Sequence, residues 1–260
     1  MRVLGILSLA SMALSGGVVG LRLLALGRRT RQQPELLMGL GLLLVAVLGG
    51  PLAAVGRLPG LLATPLGDVV FAVGLAATQL GIALFCAFTW RVFRSDSLWA
   101  TLLLLGVAGA LGAEWLGLLN ASSRASTMEE ILPHTRPWAI AIVTTLALAF
   151  GWTGGESLAH YRRLLRQRAV GLGDAVVANR MLLWAIAGFA TVLLCTVIAA
   201  CMLAGLAPLR HALPLTAIGA AALCASTCWT LAFLPPASYL AAVRGRIAHP
   251  VEPSHSTHAP

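Results

Sequence analysis

Glu114 stands in an apolar run, Leu98 to Leu119, about one turn from its end and beside Trp115. A carboxylate inside a membrane span is a functional candidate, because charge in hydrocarbon is expensive and is kept for a purpose. It can accept a proton, bind a cation or pair with a ligand amine. The plainer reading puts it at the interface, paired with Arg57, Arg124 or Arg136. Gln79, next to Thr78, falls near the middle of another apolar run, Ser226 and Thr227 near the middle of a third, and Thr144 and Thr145 within a fourth. Together these side chains can line a polar pocket with Glu114. Singly, each is interhelical hydrogen-bond glue of about 0.6 kcal/mol.

A second set of groups is ionic. Glu35, Asp96, Glu156 and Asp174 fall at span ends on the same side as Arg22, Arg94, Arg163 and Arg180. Such a set can form a latch that opens when helices move, or it can simply cap helices and pair charges at the headgroups. His160 can tune it with pH or be an ordinary interfacial histidine. The longest polar stretch before the tail, His160 to Arg180, carries Arg162, Arg163, Arg166, Arg168 and Arg180. Leu158, Tyr161, Leu164 and Leu165 recur there at helical spacing, so the arginines ride on a helix and offer a surface to anionic lipid headgroups or to a cytoplasmic protein.

Other chemistries are excluded by residue type. A retinal protein needs a lysine, and the chain has none; all 18 basic residues are arginine. No span carries a histidine for haem or zinc, there is no phosphate loop, and no serine, histidine and aspartate fall at one depth. No cofactor and no metal site is therefore expected. Cys224 and Cys228 share a helix face, but cysteines within spans are mostly small packing groups. The net charge of +9 does not indicate nucleic acid, because the arginines flank apolar runs and lack interleaved aromatics.

The elements that must position these groups are membrane helices. The chain is 260 residues long, 58% apolar and 10% charged, with a mean hydropathy of +0.88. Runs of about 20 apolar residues cross about 30 Å of hydrocarbon. They predict an all-α, polytopic bundle over 1–247 with seven transmembrane helices, at roughly 3–26, 35–56, 68–90, 98–119, 138–158, 175–204 and 213–234. Residues 248–260, rich in Pro, Ser and His, are expected to be a disordered cytoplasmic tail. The first run is too long for a signal peptide, and Gly16 and Gly20 suit it to close helix contact. Asp68 and Asp174 are placed to cap helices, Gly171 and Gly173 to end one. Asn120 to Pro137 reads as a polar loop. Arginines favour the loops after spans one, three, five and seven by twelve to five, which places the N-terminus outside and the C-terminus in the cytoplasm.

Three segments, RRTRQQPE (Arg28–Glu35), VFRSDSLWA (Val92–Ala100) and GLGDAVVANRMLLW (Gly171–Trp184), resemble an uncharacterised bacterial family of seven-span integral membrane proteins. Ala175 stands where proline often follows Asp174 in that family. The resemblance implies the topology and a bacterial inner-membrane setting, and it carries no activity and no functional residue. The leading expectation is a sensory or signalling module coupled to a cytoplasmic partner through 160–180. The rival is a small transporter or channel-like protein using Glu114, Gln79 and the span-seven hydroxyls. An intramembrane enzyme is the weakest reading.

Overall fold

The structure, a computed structural model, describes residues 2–58, 60–62, 64–122, 128–206 and 211–245; the expected tail 248–260, with Arg124, Arg210 and Arg246, lies outside them. Helix α1 spans Arg2–Thr30, α2 Gln33–Leu42 and α3 Gly50–Val55. They are followed by α4 Pro65–Phe93, α5 Leu98–Ser122, α6 Met128–Ala169, α7 Ala175–Leu203, α8 Ala212–Phe233 and the short α9 Ala237–Gly245. Among the described residues seven helical segments are long and apolar enough to cross a membrane, α2 and α3 counting as one. The chain is thus a multi-pass helix bundle. With no water in the hydrocarbon, a spanning chain must satisfy its own backbone, and a helix does so within one segment.

One π-helical segment, Leu43–Gly49, joins α2 to α3. Pro51 explains it. Proline has no N–H, so the carbonyl of Val47 loses its α-helical partner. The ladder widens instead, and the N–H of Gly50 donates to the carbonyl of Val45, five residues back.

Neighbouring spans run antiparallel and meet where side chains are small. On α1, Gly16 lies against Ala46, Gly20 against Leu43 and Gly39, and Gly27 against Leu36. A Cβ on Gly49 would strike Thr78, one on Gly74 the backbone of Ala53, and one on Gly188 the backbone of Gly154. In the bundle α1 packs on α2 and α8, the α2–α3 span on α4, α4 on α5 and α6, α6 on α7, and α7 on α8.

The interior is apolar and aromatic. Val19, Leu23, Met38, Leu42, Phe85, Phe88, Trp184 and Cys228 form one core. Within it the rings of Phe85 and Phe150, of Phe88 and Trp184, and of Phe85 and Trp229 have centroids 5.3, 5.0 and 5.5 Å apart. Trp184 is a core residue at 7% exposure. A second core of Ile82, Cys86, Val107, Leu111 and Ala149 joins α4, α5 and α6. All five cysteines are free, with Cys224 exposed and the others buried.

The expected loop Asn120–Pro137 is a correction. Helix α6 already begins at Met128 and carries Pro133 and Pro137 inside it. Two contacts offset the lost backbone bonds: Gly117 of α5 admits the Trp138 ring against its backbone, and Arg136 Nη2 donates to the carbonyl of Leu203 at 2.7 Å. The latter satisfies a C-terminal carbonyl of α7. At its other end α6 runs past the predicted boundary to Ala169. Gly171, at φ +78°, then closes it with the N–H of Leu172 donating to the carbonyl of Gln167 at 2.9 Å.

Gly74→Val should therefore be severe. Its side chain meets backbone atoms that cannot step aside, and overpacking costs about 1–3 kcal/mol. Gly109→Val, at a position with nothing within 4 Å, should leave the thermal unfolding midpoint close to that of the parent in the same detergent.

Candidate functional site

Glu114 is buried, at 5% exposure, on the inward stripe of α5 with Leu111 and Leu118. Trp115 fixes its depth, since the indole N–H donates to the carbonyl of Ala72 on α4 at 3.1 Å. One carboxyl oxygen, Oε1, accepts from the hydroxyl of Thr145 on α6 at 2.5 Å. The other, Oε2, is buried without a hydrogen-bond partner. None of the described arginines reaches it. Arg57 is bound to Asp68 at 2.9 Å and Arg136 to a backbone carbonyl, while Arg124 is outside the described residues. As an acid, Oε2 would need an acceptor for its proton. As a carboxylate, it would need a positive charge. Among the described residues neither is supplied.

The remaining pocket candidates separate. Gln79 is 5% exposed with both amide atoms unpartnered, so it makes no hydrogen bond to Glu114. Ser226 is also buried with its hydroxyl unpartnered. Thr78 bonds its own helix, at the carbonyl of Gly74, against the π-helical segment. Thr227 and Thr144 are exposed and line no interior. Of the intramembrane set, only Glu114 and Thr145 are joined directly.

The ionic set is likewise reduced to one pair. Arg94, at the C-cap of α4, donates from Nε to Glu156 Oε1 on α6 at 2.8 Å. The carboxylate's hydrogen bond and its charge raise the already high pKa of the guanidinium. The same guanidinium lies 5.7 Å from the Trp99 ring, and Trp99 packs on Trp152 at 6.0 Å. Asp174 caps α7, accepting from the N–H of Val176 at 2.7 Å. The Ser95 hydroxyl donates to Asp96 at 3.4 Å. Glu35 sits in the first turn of α2 beside Gln32, whose amide nitrogen, turned towards it, donates at 2.7 Å. Arg163 and Arg180 form no ion pair among the described residues. His160 packs edge-on to Phe93 at 5.9 Å.

The structure also shows a grouping that the sequence reading missed. Thr145, Ala149, Thr153 and Ser157 repeat every four residues and so form one stripe along α6. Thr145 holds Glu114 on α5. Ala149 is 2% exposed in the core shared with α4 and α5. Thr153 meets Thr89 of α4 at 2.7 Å, hydroxyl to hydroxyl. Glu156, beside the last member, holds Arg94. Ser157 itself is fully buried with its hydroxyl unpartnered. Small and hydroxyl-bearing residues spaced four apart in an apolar run are the signal that would have found this stripe.

Beyond the stripe, α6 continues as the arginine-bearing helix. Arg162, Arg163 and Arg166 are exposed, and Arg168 is half-buried against Gly173. Val170 and Leu172, in the turn, are 70% and 82% exposed.

No family model matches the chain, and no curated protein or solved structure is similar to it.

Thr145→Val removes the hydroxyl from Glu114 and leaves both carboxyl oxygens without a partner. It should destabilise the bundle by about 1–3 kcal/mol. Thr144→Val, one residue away and exposed, should change stability by less than about 0.5 kcal/mol. Equilibrium unfolding of the two variants side by side checks this. A double-mutant cycle on Arg94 and Glu156 should give a coupling of only about 1 kcal/mol, since the guanidinium is 36% exposed to screening.

Proposed function

We propose that the chain is a membrane-embedded signalling module. In this reading, the state of the Glu114–Thr145 site is passed along α6 to the arginine-bearing tip, where a cytoplasmic protein docks. The observation that carries the reading is the continuity of α6. Its 42 residues form one helix from Met128 to Ala169, about 63 Å long against about 30 Å of hydrocarbon. Past the contact between Thr89 and Thr153, α4 ends after four residues and α6 after sixteen. The tip thus extends roughly 18 Å further along the helix axis than the end of α4. The polar stripe lies on the same rigid helix, and coupling between sites is carried by such contiguous elements.

The tip has the chemistry of a docking surface. Exposed Arg162, Arg163 and Arg166 supply positive charge, and Val170 and Leu172 supply exposed apolar area. This combination suits an acidic partner with an apolar ridge. The arginine bias of the loops and the resemblance to the bacterial family support an inner-membrane setting with this tip in the cytoplasm.

A photocrosslinking residue at Leu164 or Arg166, placed in living cells, should yield one dominant cytoplasmic product that a probe at Arg57 does not. Recovery of lipid and self-crosslinks alone would sink the reading. Neutralising Arg162, Arg163 and Arg166 together should abolish that product while leaving the unfolding midpoint unchanged.

A transporter is the second reading, favoured by the unpartnered atoms of Glu114 and Gln79. It expects Glu114→Gln to abolish cation or proton flux in vesicles, and the arginine substitutions to leave flux intact.

A further inference from the structure

Arg57 and Asp68 form a second polar site, at the end of the bundle away from the arginine-bearing tip. A groove of about 260 Å³ opens there between the first two turns of α4 and the last turn of α5. Arg57, Asp68 and Ser122 form its polar part, and Val69, Ala72 and Leu119 its apolar part. Trp115, whose indole N–H holds the carbonyl of Ala72, marks this depth as the interface, where tryptophan meets the headgroup layer.

The charges here are fixed but incompletely used. The Arg57 side chain is only 12% exposed, with Cζ 3.9 Å from the Phe71 ring centroid. A guanidinium carries five N–H donors. Asp68 Oδ1 takes one from Nη1 at 2.9 Å, and Nη2 is buried with no acceptor among the described residues. Asp68, by contrast, has a half-exposed side chain and one oxygen outside the pair. Among the described residues the groove therefore offers donors that lack an acceptor next to an acceptor that lacks a donor, and Arg57 and Asp68 cancel in charge. A bare anion would meet the Asp68 carboxylate, and a bare cation would meet Arg57. A ligand carrying both charges a few ångströms apart satisfies both.

We infer that this groove binds the zwitterionic headgroup of a phosphoethanolamine phospholipid. The phosphate lies against Arg57, the primary ammonium against Asp68, and the start of an acyl chain along Val69, Ala72 and Leu119. Guanidinium recognises phosphate by charge-assisted hydrogen bonds. The ammonium must be primary, because a quaternary one has no N–H to give Asp68. The apolar floor and the interfacial depth are what select a lipid over a free small zwitterion.

The test uses the purified full chain in detergent, with its thermal unfolding midpoint read after adding phosphatidylethanolamine, phosphatidylcholine or phosphatidylglycerol at equal concentration. Phosphatidylethanolamine should raise Tm by several degrees more than either of the others. Arg57→Gln should erase that difference. Asp68→Asn should turn the preference towards phosphatidylglycerol, by threefold or more when the bound lipids are counted by native mass spectrometry. Should Arg57→Gln fail to fold, Leu119→Trp fills the floor while leaving the ion pair intact, and it should lose the preference too. Equal shifts from all three lipids, or a preference that survives Arg57→Gln or Leu119→Trp, would overturn the inference. Glycerophosphoethanolamine, which has the headgroup without acyl chains, should be inactive at the same concentration. A shift equal to that of the lipid would reassign the groove to a free zwitterion.

Discussion

In a bilayer an apolar side chain gains little by leaving lipid for another helix, because the two surroundings are equally apolar. What holds helices together is close packing and the few polar bonds made across the contact. The glycine seams of this bundle answer to that constraint. Gly49 against Thr78, Gly74 against Ala53 and Gly154 against Gly188 bring backbones within reach of one another. The π-helical segment belongs to the same logic. It absorbs Pro51 without breaking the span, and Gly49 within it lies against Thr78 of α4. Removing any of these close approaches weakens the packing at that contact.

Polar side chains follow from the same constraint, since each buried one needs a partner. Along α6 the hydroxyls of Thr145 and Thr153 and the carboxylate of Glu156 find theirs on α5 and α4, fixing the rotation of α6 at three depths. Where partners are missing, at Glu114 Oε2, Gln79, Ser157 and Ser226, the bundle carries unmet hydrogen-bonding capacity. These groups are concentrated in the interior, whereas the tip of α6 carries the exposed charge. The unpartnered groups are spread over α4, α5, α6 and α8, while the exposed charge is gathered at the end of α6.

Much of the architecture was legible because span length is set by the hydrocarbon and charge is excluded from it. The predicted spans fall on the observed helices to within a few residues, except around α6. There the polar residues and prolines of 120–137 read as a loop, and packing against Gly117 and Leu203 overrides that local signal. Which face of each helix turns inward was not legible. Lipid-facing and core-facing residues are equally apolar, so the pattern that marks a soluble amphipathic helix is missing. For that reason Thr227 looked equivalent to Ser226, yet one is exposed and the other buried. Glu114 stood out because a carboxylate is visible in any apolar run. Its partner Thr145 was named only alongside Thr144 and other hydroxyls, because threonine is common in spans. The ionic set could be assigned to span ends but not paired, since an arginine side chain reaches several neighbours and only Arg94 meets a carboxylate.

The aromatic core has a consequence for access. Phe85, Phe88, Phe150, Trp184, Trp229 and Phe233 contribute rings from α4, α6, α7 and α8 to one continuous stopper. Trp184 and Phe88 lie towards the arginine-bearing end of their helices, while Glu114 lies towards the other end of α5. The rings fill the space between α4, α6, α7 and α8, so a path to Glu114 through that space would have to displace them and lose their packing.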